Sequence, residues 1–598
     1  MGNDSSGRSV AADPIVGTPA ALPAAWQQQL TSCVVDENVG LPDAATLVFR
    51  DPNHELLTAT SIGIGSELTV KVTTTASSAA EEIFAGEVTA LELDSDGTGS
   101  FTVVRAMSKA HRLMRGRKVK AFRNMTADAI VRTIATGAGL RPGRIKAKAI
   151  TYTQLSQANV SDWEFLQNLA QEHGVAVRVD GKGLLDFAEL TPASRAPSPS
   201  TPANKSPFVL EYGRNLMALR AVLTAADQVD AVVVRGWNVS TKKPLVARDT
   251  TAGSDVVQPG LTAAKASSKF GKPELLVTDM PYGTQAEART TAKSLASSMR
   301  SALGEIEAVA EGNPKLRAGV PVALGNVGKD FAGKYTATAV HHVLEPGQGY
   351  RTTVLVSSSP DRSLTGLATG ANAPDRGPRI PGLATGIVTD IKEPGKSERG
   401  WVKLKFPWLA DDYTTDWVRT VQLGGKGGGG VFSPDVDDEV LVGFEQGSLD
   451  HPYVLGGLYN GMDAPSEHDV PLVDGTSGKV NRRSLVSPKG HRLELIDATT
   501  RSPGVHLASG NKKLDVRMDE QKQTIDITVR AAGGRRVLTR MSLSSRGIEL
   551  DAGTGDITLS GKSVSIDAST SVSINGRTSV DIDGGATASL RGRLVRIN

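Results

Sequence analysis

Beyond Val505 the chain repeats a short unit in which two apolar residues flank one polar residue and a run of Gly, Ser, Asp, Asn and Thr follows. The later pairs are Ile548/Leu550, Ile557/Leu559, Val564/Ile566, Val572/Ile574, Val580/Ile582 and Val595/Ile597. First members at 548, 557, 564, 572 and 580 lie 9, 7, 8 and 8 residues apart, a repeat of about eight. The residues between pairs are those of tight turns. Such a unit is too short to close a core within one chain. Each step buries about 3–6 kcal/mol of apolar side chain, against the cost of ordering its residues at ~1 kcal/mol or more each. Burial must therefore be shared. Three copies wound into one prism supply the missing walls and leave no free strand edge. The pattern predicts an intertwined trimeric β-helix over residues 485–598.

Upstream, residues 387–460 read as short strands with period-2 alternation. Trp401-Val-Lys-Leu-Lys-Phe406 alternates apolar and cationic residues and is stopped by Pro407. Asp416 to Leu423 is the next strand, and Gly424 to Gly430 a long turn. Val431-Phe432, Glu439 to Phe444 and Tyr453 to Leu455 complete five strands, which suggests a small closed barrel of the OB type.

The wording of this stretch carries a resemblance. Trp401 through Phe406, Pro407, Trp408 and Leu409, then Trp417-Val418-Arg419, then Phe432 to Gly461 with Pro434, Glu439, Phe444, Pro452, Gly456, Tyr459 and Asn460, resemble the barrel of phage baseplate spikes and of the VgrG-type spikes of contractile injection systems.

At 598 residues several domains are expected. Aromatic residues make up 4% of the chain and glycines number 63, a composition suited to repetitive β architecture. The net charge of +3 gives no electrostatic footprint for nucleic acid. Cys33, the single cysteine, excludes an internal disulfide and a cysteine-based zinc cluster. No apolar run is long enough to span a bilayer. The first 24 residues hold one Arg and are broken by Pro14, Pro19 and Pro23, unlike a secretory signal. Synthesis and assembly in the cytoplasm are expected.

Residues 1–28 read as a flexible arm. Strands are expected at Cys33–Val39, Thr46–Phe49, Ile62–Val72, Ile83–Leu93 and Gly99–Val104, with Leu41-Pro-Asp43 a turn. One helix is expected from Thr126 to about Thr136. A sharper one begins at Ser161, an N-cap with Glu164 three residues on, and ends at Gly174, suited to a left-handed C-terminus. Phe165, Leu166, Leu169 and Ala170 line its apolar face. His111-Arg-Leu113, the Phe122 to Leu140 segment and the helix Ser161-Asp162-Trp163 to Glu172-His173-Gly174 resemble the hub proteins of phage tails, the late-control protein D family. The resemblance implies paired β-barrels forming a trimeric ring between tail tube and spike. The basic run Arg115 to Lys120 reads as a solvated strand edge.

Residues 189–207, with five prolines, read as a linker. A second hub part over 208–365 is expected, with a helix from Thr284 to Leu303. Its Gly333-Lys-Tyr335, His341-His342 and Tyr350-Arg-Thr352 again resemble the hub family. The division expected is therefore an arm at 1–28, hub parts at 29–188 and 208–365, linkers at 189–207 and 366–382, an OB collar at 383–462, a connector at 463–484 and a needle at 485–598. Gly490 to Asp497 is similar to the first segment of spike needles.

No catalytic constellation is found. Gly425-Lys426-Gly427 to Gly430 fits the dinucleotide pattern, but Val431-Phe432 and Pro434 follow instead of a helix. His341 and His342 are adjacent, so a strand places them on opposite faces. His173 reads as a dipole-compatible helix end, His451 as a barrel-rim contact, and Asp435, Asp437, Asp438 and Glu439 as a solvated turn.

The resemblance implies a mainly β, non-enzymatic, homotrimeric spike and hub at the tip of a contractile, phage-tail-like apparatus, with no cofactor and no metal. Its implied partners are an inner tube protein, baseplate proteins, a separate PAAR-like tip protein and effectors, with a target membrane or envelope met on firing. Phe444 to Gly447 and His451 to Asn460 lean towards the particle-type, extracellular systems. A type VI VgrG and a tailed-phage spike stay open. A cell-wall hydrolase spike would need an inserted domain for which residues 463–480 leave no room, and an OB-type nucleic-acid binder would need more positive charge.

Overall fold

A computed structural model describes residues 12–17, 20–74, 77–226, 228–250, 256–271, 273–345, 349–357, 379–395, 398–498 and 502–597. Most of the expected 366–382 linker and the start of the expected arm lie outside these residues. The chain divides into two units, Met1–Leu458 and Tyr459–Asn598.

The first unit opens with β1 (Ala12–Gly17), α1 (Ala24–Gln27), β2 (Leu30–Asn38), β3 (Leu41–Arg50), α2 (Leu56–Thr60), β4 (Glu67–Thr74), β5 (Ser77–Asp96) and β6 (Gly99–Met107). A mixed segment follows: β7 (Lys118–Thr126), α3 (Ala127–Gly137), β8 (Arg141–Ile145), β9 (Thr151–Val160), α4 (Asp162–His173), β10 (Ala176–Val179) and β11 (Leu184–Ala188). Next come β12 (Val209–Glu211), β13 (Leu216–Leu223), β14 (Ala231–Asn238), β15 (Lys243–Asp249), β16 (Val257–Pro259), α5 (Ala263–Ser267) and β17 (Glu274–Val277). The hub closes with α6 (Gln285–Ser301), β18 (Gly304–Glu311), β19 (Pro321–Gly325), β20 (Gly333–Thr336), β21 (Ala339–Glu345) and β22 (Gly349–Val356).

Ten strands make one sheet in the order β1-β4-β5-β6-β3-β2-β21-β22-β18-β13. The two hub parts are thus joined in a single sheet, because β2 pairs β21 from Cys33↔Leu344 to Asn38↔Ala339. Alternation in β2 and β4 buries Cys33, Val35, Leu68, Val70 and Val72. A separate core gathers Ile130, Val131 and Ile134 of α3 with Phe165, Leu166 and Leu169 of α4.

Two expectations are corrected here. The arm is not featureless, since Ala12–Gly17 pairs with β4, and Pro14 is tolerated because β1 is an edge strand. Leu41-Pro-Asp43 begins β3 rather than forming a turn, and Pro42 is accommodated at the strand's start.

The collar comprises β23 (Leu383–Asp390), β24 (Lys403–Lys405), β25 (Arg419–Thr420), β26 (Glu439–Phe444) and β27 (Pro452–Gly457), ordered β24-β23-β26-β27-β25. The two outer strands meet where Val402 N–H donates to Val418 O (3.1 Å) and Val418 N–H to Val402 O (2.7 Å). That bridge closes the sheet into a barrel. Val431-Phe432 is not a strand. The fifth strand is β23, and Phe432 is held by its N–H donating to Gln422 Oε1 (2.8 Å).

The second unit holds β28 (Arg482–Val486), β29 (Arg492–Ile496), β30 (Gly504–Ala508), β31 (Leu514–Asp519), β32 (Thr524–Arg530), β33 (Val537–Ser544) and β34 (Gly547–Asp551), each antiparallel to the next. Gly504 is required: with φ at +142°, a Cβ there would lie 1.9 Å from Met518 O. From Ala552 to Ile597 no strand is formed by one copy, and the late apolar pairs stand exposed. No described helix is long and apolar enough to cross a membrane.

Candidate functional site

The hub helix α4 is fixed at both ends by its own sequence. Glu164 N–H donates to Ser161 Oγ (3.2 Å) and Ser161 N–H to Glu164 Oε2 (2.7 Å), a reciprocal capping box. The bond from Ser161 N–H holds the Glu164 carboxyl below its ordinary value. Gly174 closes the helix with φ at +67°. Asp162 accepts from Lys118 Nζ (2.5 Å) and Gln157 Nε2 (2.9 Å), so one member of the basic run is paired. Trp163 and Leu166 are buried, and Phe165 stacks on Phe122 at 5.5 Å.

His173 is the last residue of α4, as expected, and it is buried. Its Nδ1 accepts from Lys148 N–H (3.0 Å), which leaves the proton on Nε2, 2.9 Å from Tyr152 Oη. Tyr152 in turn donates to buried Glu172 (3.0 Å). His342 is likewise a core residue, lowered to about 3 by burial, while His341 on the opposite face pairs with Asp36.

A buried carboxylate joins the two hub parts. Glu37 of β2 accepts from Arg317 and from Ala318 N–H (3.1 Å), while Arg317 also donates to the carbonyls of Glu82 (2.7 Å) and Ile83 (3.1 Å). Burial outweighs the pull of Arg317 and, with Asp43 nearby, pushes Glu37 up to about 7. Asp43, Arg178 and Arg317 line an adjoining cavity of about 210 Å³.

The antiparallel β7–β9 pair of the hub packs against the collar. Val119, Ala121 and Ala158 pack against the barrel core of Val402, Leu404, Phe406, Val418, Val440 and Val442. Tyr413 Oη lies 2.8 Å from Ser156 Oγ and accepts from Gln154 Nε2 (3.0 Å). Asp416 N–H donates to Gln154 Oε1 (2.5 Å), and Arg123 donates to Thr414 Oγ1. Burial pushes the Tyr413 phenol above its ordinary value. None of Arg123, Gln154, Ser156, Tyr413, Thr414 or Asp416 stood out in the sequence, since Ser156 and Tyr413 are 257 residues apart.

Of the expected collar residues, Phe406 is buried at the centre, with Trp408 at 5.5 Å, Tyr413 at 5.7 Å and Phe444 at 5.9 Å. Trp408 Nε1 donates to Thr385 O (2.8 Å), and Pro407 opens the turn that follows β24. Val418 is part of the closing bridge. The rim residues Trp401 and Trp417 lie beneath Arg399 (3.7 Å) and Lys403 (5.0 Å), and Arg419 sits 5.2 Å from the Tyr453 ring. Pro452 pairs with Phe444, and Gly456 with Leu441. Glu439 opens β26, and Pro434 lies in the preceding loop. In the second unit Tyr459 is exposed, and Asn460 Oδ1 accepts from the N–H of Met462 and Asp463 (2.8 and 2.7 Å).

The ladder presents a different surface. Register places Leu493, Leu507, Val516, Ile527, Met541 and Leu550 in one column across six strands. Leu495, Val505, Met518, Ile525, Leu543 and Ile548 form a second, parallel column. Directly paired residues share a face. Most of these side chains are exposed: Ile527 at 44%, Met518 at 47%, Leu550 at 51% and Ile548 at 70%. Within the second unit, Val470, Ile496 and Ala498 are the described residues that form a buried apolar cluster. The ladder has two apolar columns and almost no core beneath them.

Comparison with known proteins agrees with this architecture. Residues 40–345, more than half of the chain, match the Alg8 N-terminal domain family. The chain belongs to that family. Residues 384–459, which take in all five collar strands except Leu383 at the start of β23, match the Type VI secretion system/phage-baseplate injector OB domain. This Alg8 N-terminal domain protein is also similar to the type VI secretion system spike proteins VgrG5 and VgrG4b of Pseudomonas aeruginosa. It is 42% identical to VgrG5 over 103 residues, 16% of this chain and 12% of that protein. It is 33% identical to VgrG4b over 123 residues, 19% of this chain and 14% of that protein. The chain thus spans less than a fifth of the length of the curated relatives it matches. The Francisella PdpA-VgrG complex in its half-lidded form aligns over 91% of this chain and 87% of that chain, with 10% identity and a TM-score of 0.47. The protein is mainly β, and its collar matches an injector OB domain.

Among the described residues no group of three His, Cys, Asp or Glu side chains is placed to hold a metal ion. The glycine run 424–430 leads into no helix. The acidic turn is closed on itself, Asp438 Oδ2 accepting from Asp435 N–H (2.8 Å). The polar groups of the hub and junction tie one element to another.

Proposed function

We propose that three copies of this chain form the spike and hub at the tip of a contractile, phage-tail-like injection apparatus. The hub caps the inner tube, the collar packs on the hub's β7–β9 strand pair, and the C-terminal ladder winds with two others into a needle driven ahead of the tube. One observation carries this reading: the two uncovered apolar columns, which one chain leaves in water and three chains cover. Half-burying twelve such side chains would contribute on the order of 10 kcal/mol per chain, enough to favour assembly. Work comes from contraction elsewhere, so the chain supplies rigidity and no chemistry.

Tube, baseplate, a PAAR-like tip protein and effectors are the partners this reading requires. The named relatives are type VI spikes, and the phrase from Phe444 to Asn460 leans to the extracellular, particle-type systems. An antibody to residues 552–597 tests the assignment on purified particles by electron microscopy. Label at one end of each particle supports it. Label along the sheath, or particles of normal form from cells lacking the chain, would refute it.

A further inference from the structure

The face of the ladder opposite the apolar columns carries a row of acids and imidazoles that the spike reading leaves unused. Glu494 of β29 pairs directly with His506 of β30, and Asp515 of β31 lies on the same face. His506 Nδ1 is 3.3 Å from Glu494 Oε2, and its Nε2 is 2.6 Å from Asp515 Oδ2. His468, from the connector, places Nε2 2.8 Å from the same Glu494 oxygen. Glu494 is fully buried, and His468 and His506 are nearly so.

We propose that Asp515, His506, Glu494 and His468 form a proton-operated clasp that fastens the connector to the first strands of the ladder. The reason lies in donor counting. Ionised carboxylates only accept, so both contacts of His506 are hydrogen bonds only when its ring carries a hydrogen on each nitrogen. The neutral ring has one hydrogen and sets a lone pair against one of the two carboxylates. His468 is not so constrained, because its Nδ1 lies 2.8 Å from Val470 N and 3.1 Å from Val470 O and is served in either form. His506 therefore senses the proton, and His468 transmits the result to the connector.

The other charges on this face are the cations nearest the row, with Asp526 opposite Arg517 and Asp519 at the end of β31 as the further acids. Arg492 Nη1 donates to Glu494 Oε1 (3.4 Å), Arg482 bonds Ser484 Oγ (2.8 Å) beside it, and Arg517 and Arg530 act on Asp515. Burial alone would raise both carboxyls, but His468 and His506 hold Glu494 low and His506 holds Asp515 low. Their contribution is present above the ordinary carboxylate range and lost as pH falls through the lowered values. The clasp is closed while the His506 ring carries a hydrogen on both nitrogens. These contacts lie within one copy and do not depend on the trimer.

Hydrogen exchange of the full-length protein, corrected for intrinsic rates, tests this at about pH 6 and about pH 8.5. Protection of the segment holding Val470 should be roughly tenfold greater at the lower pH, one hydrogen bond's worth. His506→Asn should flatten the difference, with Cys33 alkylation in the hub as a check on folding. Equal protection of the wild-type segment at both pH values, or a pH difference that survives in His506→Asn, would overturn the clasp.

Discussion

The hydroxyl of Tyr413 in the collar lies 2.8 Å from Ser156 Oγ in the hub, inside a buried contact that also engages Gln154 and Asp416. Tyr413→Phe leaves Ser156 and Gln154 without that partner and should destabilise the collar by about 1–2 kcal/mol. Tyr413→Ala also removes the stack on Phe406 and should cost about 3–5 kcal/mol. Denaturation followed by the fluorescence of Trp401, Trp408 and Trp417 reads this directly, with Tyr459→Phe as the neutral control.

The ends of α4 should be separately measurable. Ser161→Ala removes the cap of Glu164 N–H and should lower stability by about 1 kcal/mol. Gly174→Ala forces a side chain into the left-handed region, 3.3 Å from Ser294 Oγ, and should cost about 1 kcal/mol or more. Chemical denaturation midpoints check both.

The buried Glu37 gives the hub a pH dependence of definite sign. Its folded value, about 7, lies above its unfolded one, so the folded hub binds the extra proton between them. The stability it contributes is complete below about pH 4.5 and is lost as pH rises through about 7. Asp43, also raised by burial, acts in the same direction. The hub should therefore melt higher near pH 6 than near pH 8, and Glu37→Gln should flatten the profile.

Cys33 should be inert while the hub is folded. It is fully buried in β2, and burial pushes its thiol up to about 12. Iodoacetamide at mildly alkaline pH should label it only after denaturation, and labelling of the native protein would show that the main sheet opens.

The parts legible in the sequence were those whose signals are local. Ser161, Glu164 and Gly174 specify both ends of one helix within fourteen positions, and Trp401 to Phe406 alternates clearly enough to mark a barrel wall. Long-range relations were not legible. The β2–β21 pairing that merges both hub parts joins residues about three hundred positions apart, and Gln154, Ser156 and Tyr413 look unremarkable until the fold brings them together. Pro14 disguised β1 because a proline is tolerated only where no ladder bond is needed. His173 resembled a helix-end cation, yet Lys148 and Tyr152 enclose both its nitrogens. The ladder was the reverse case: its apolar pairs were plain in the sequence, and within the chain they stand exposed.

A single charge on an apolar column should disrupt assembly. Ile527→Asp places a carboxylate on the face that the proposed trimer would bury, and an unpaired buried charge is costly. Light scattering should show dissociation, whereas Glu549→Gln on the opposite face should leave the assembly intact.

The most direct test of the shared needle is the solution mass of the full-length chain, measured beside a truncation ending near Gly461. Three chains of 62.7 kDa weigh 3 × 62.7, about 188 kDa. That mass for the full chain, with readier dissociation of the truncation, is the predicted result. A stable, folded particle of 62.7 kDa would contradict it.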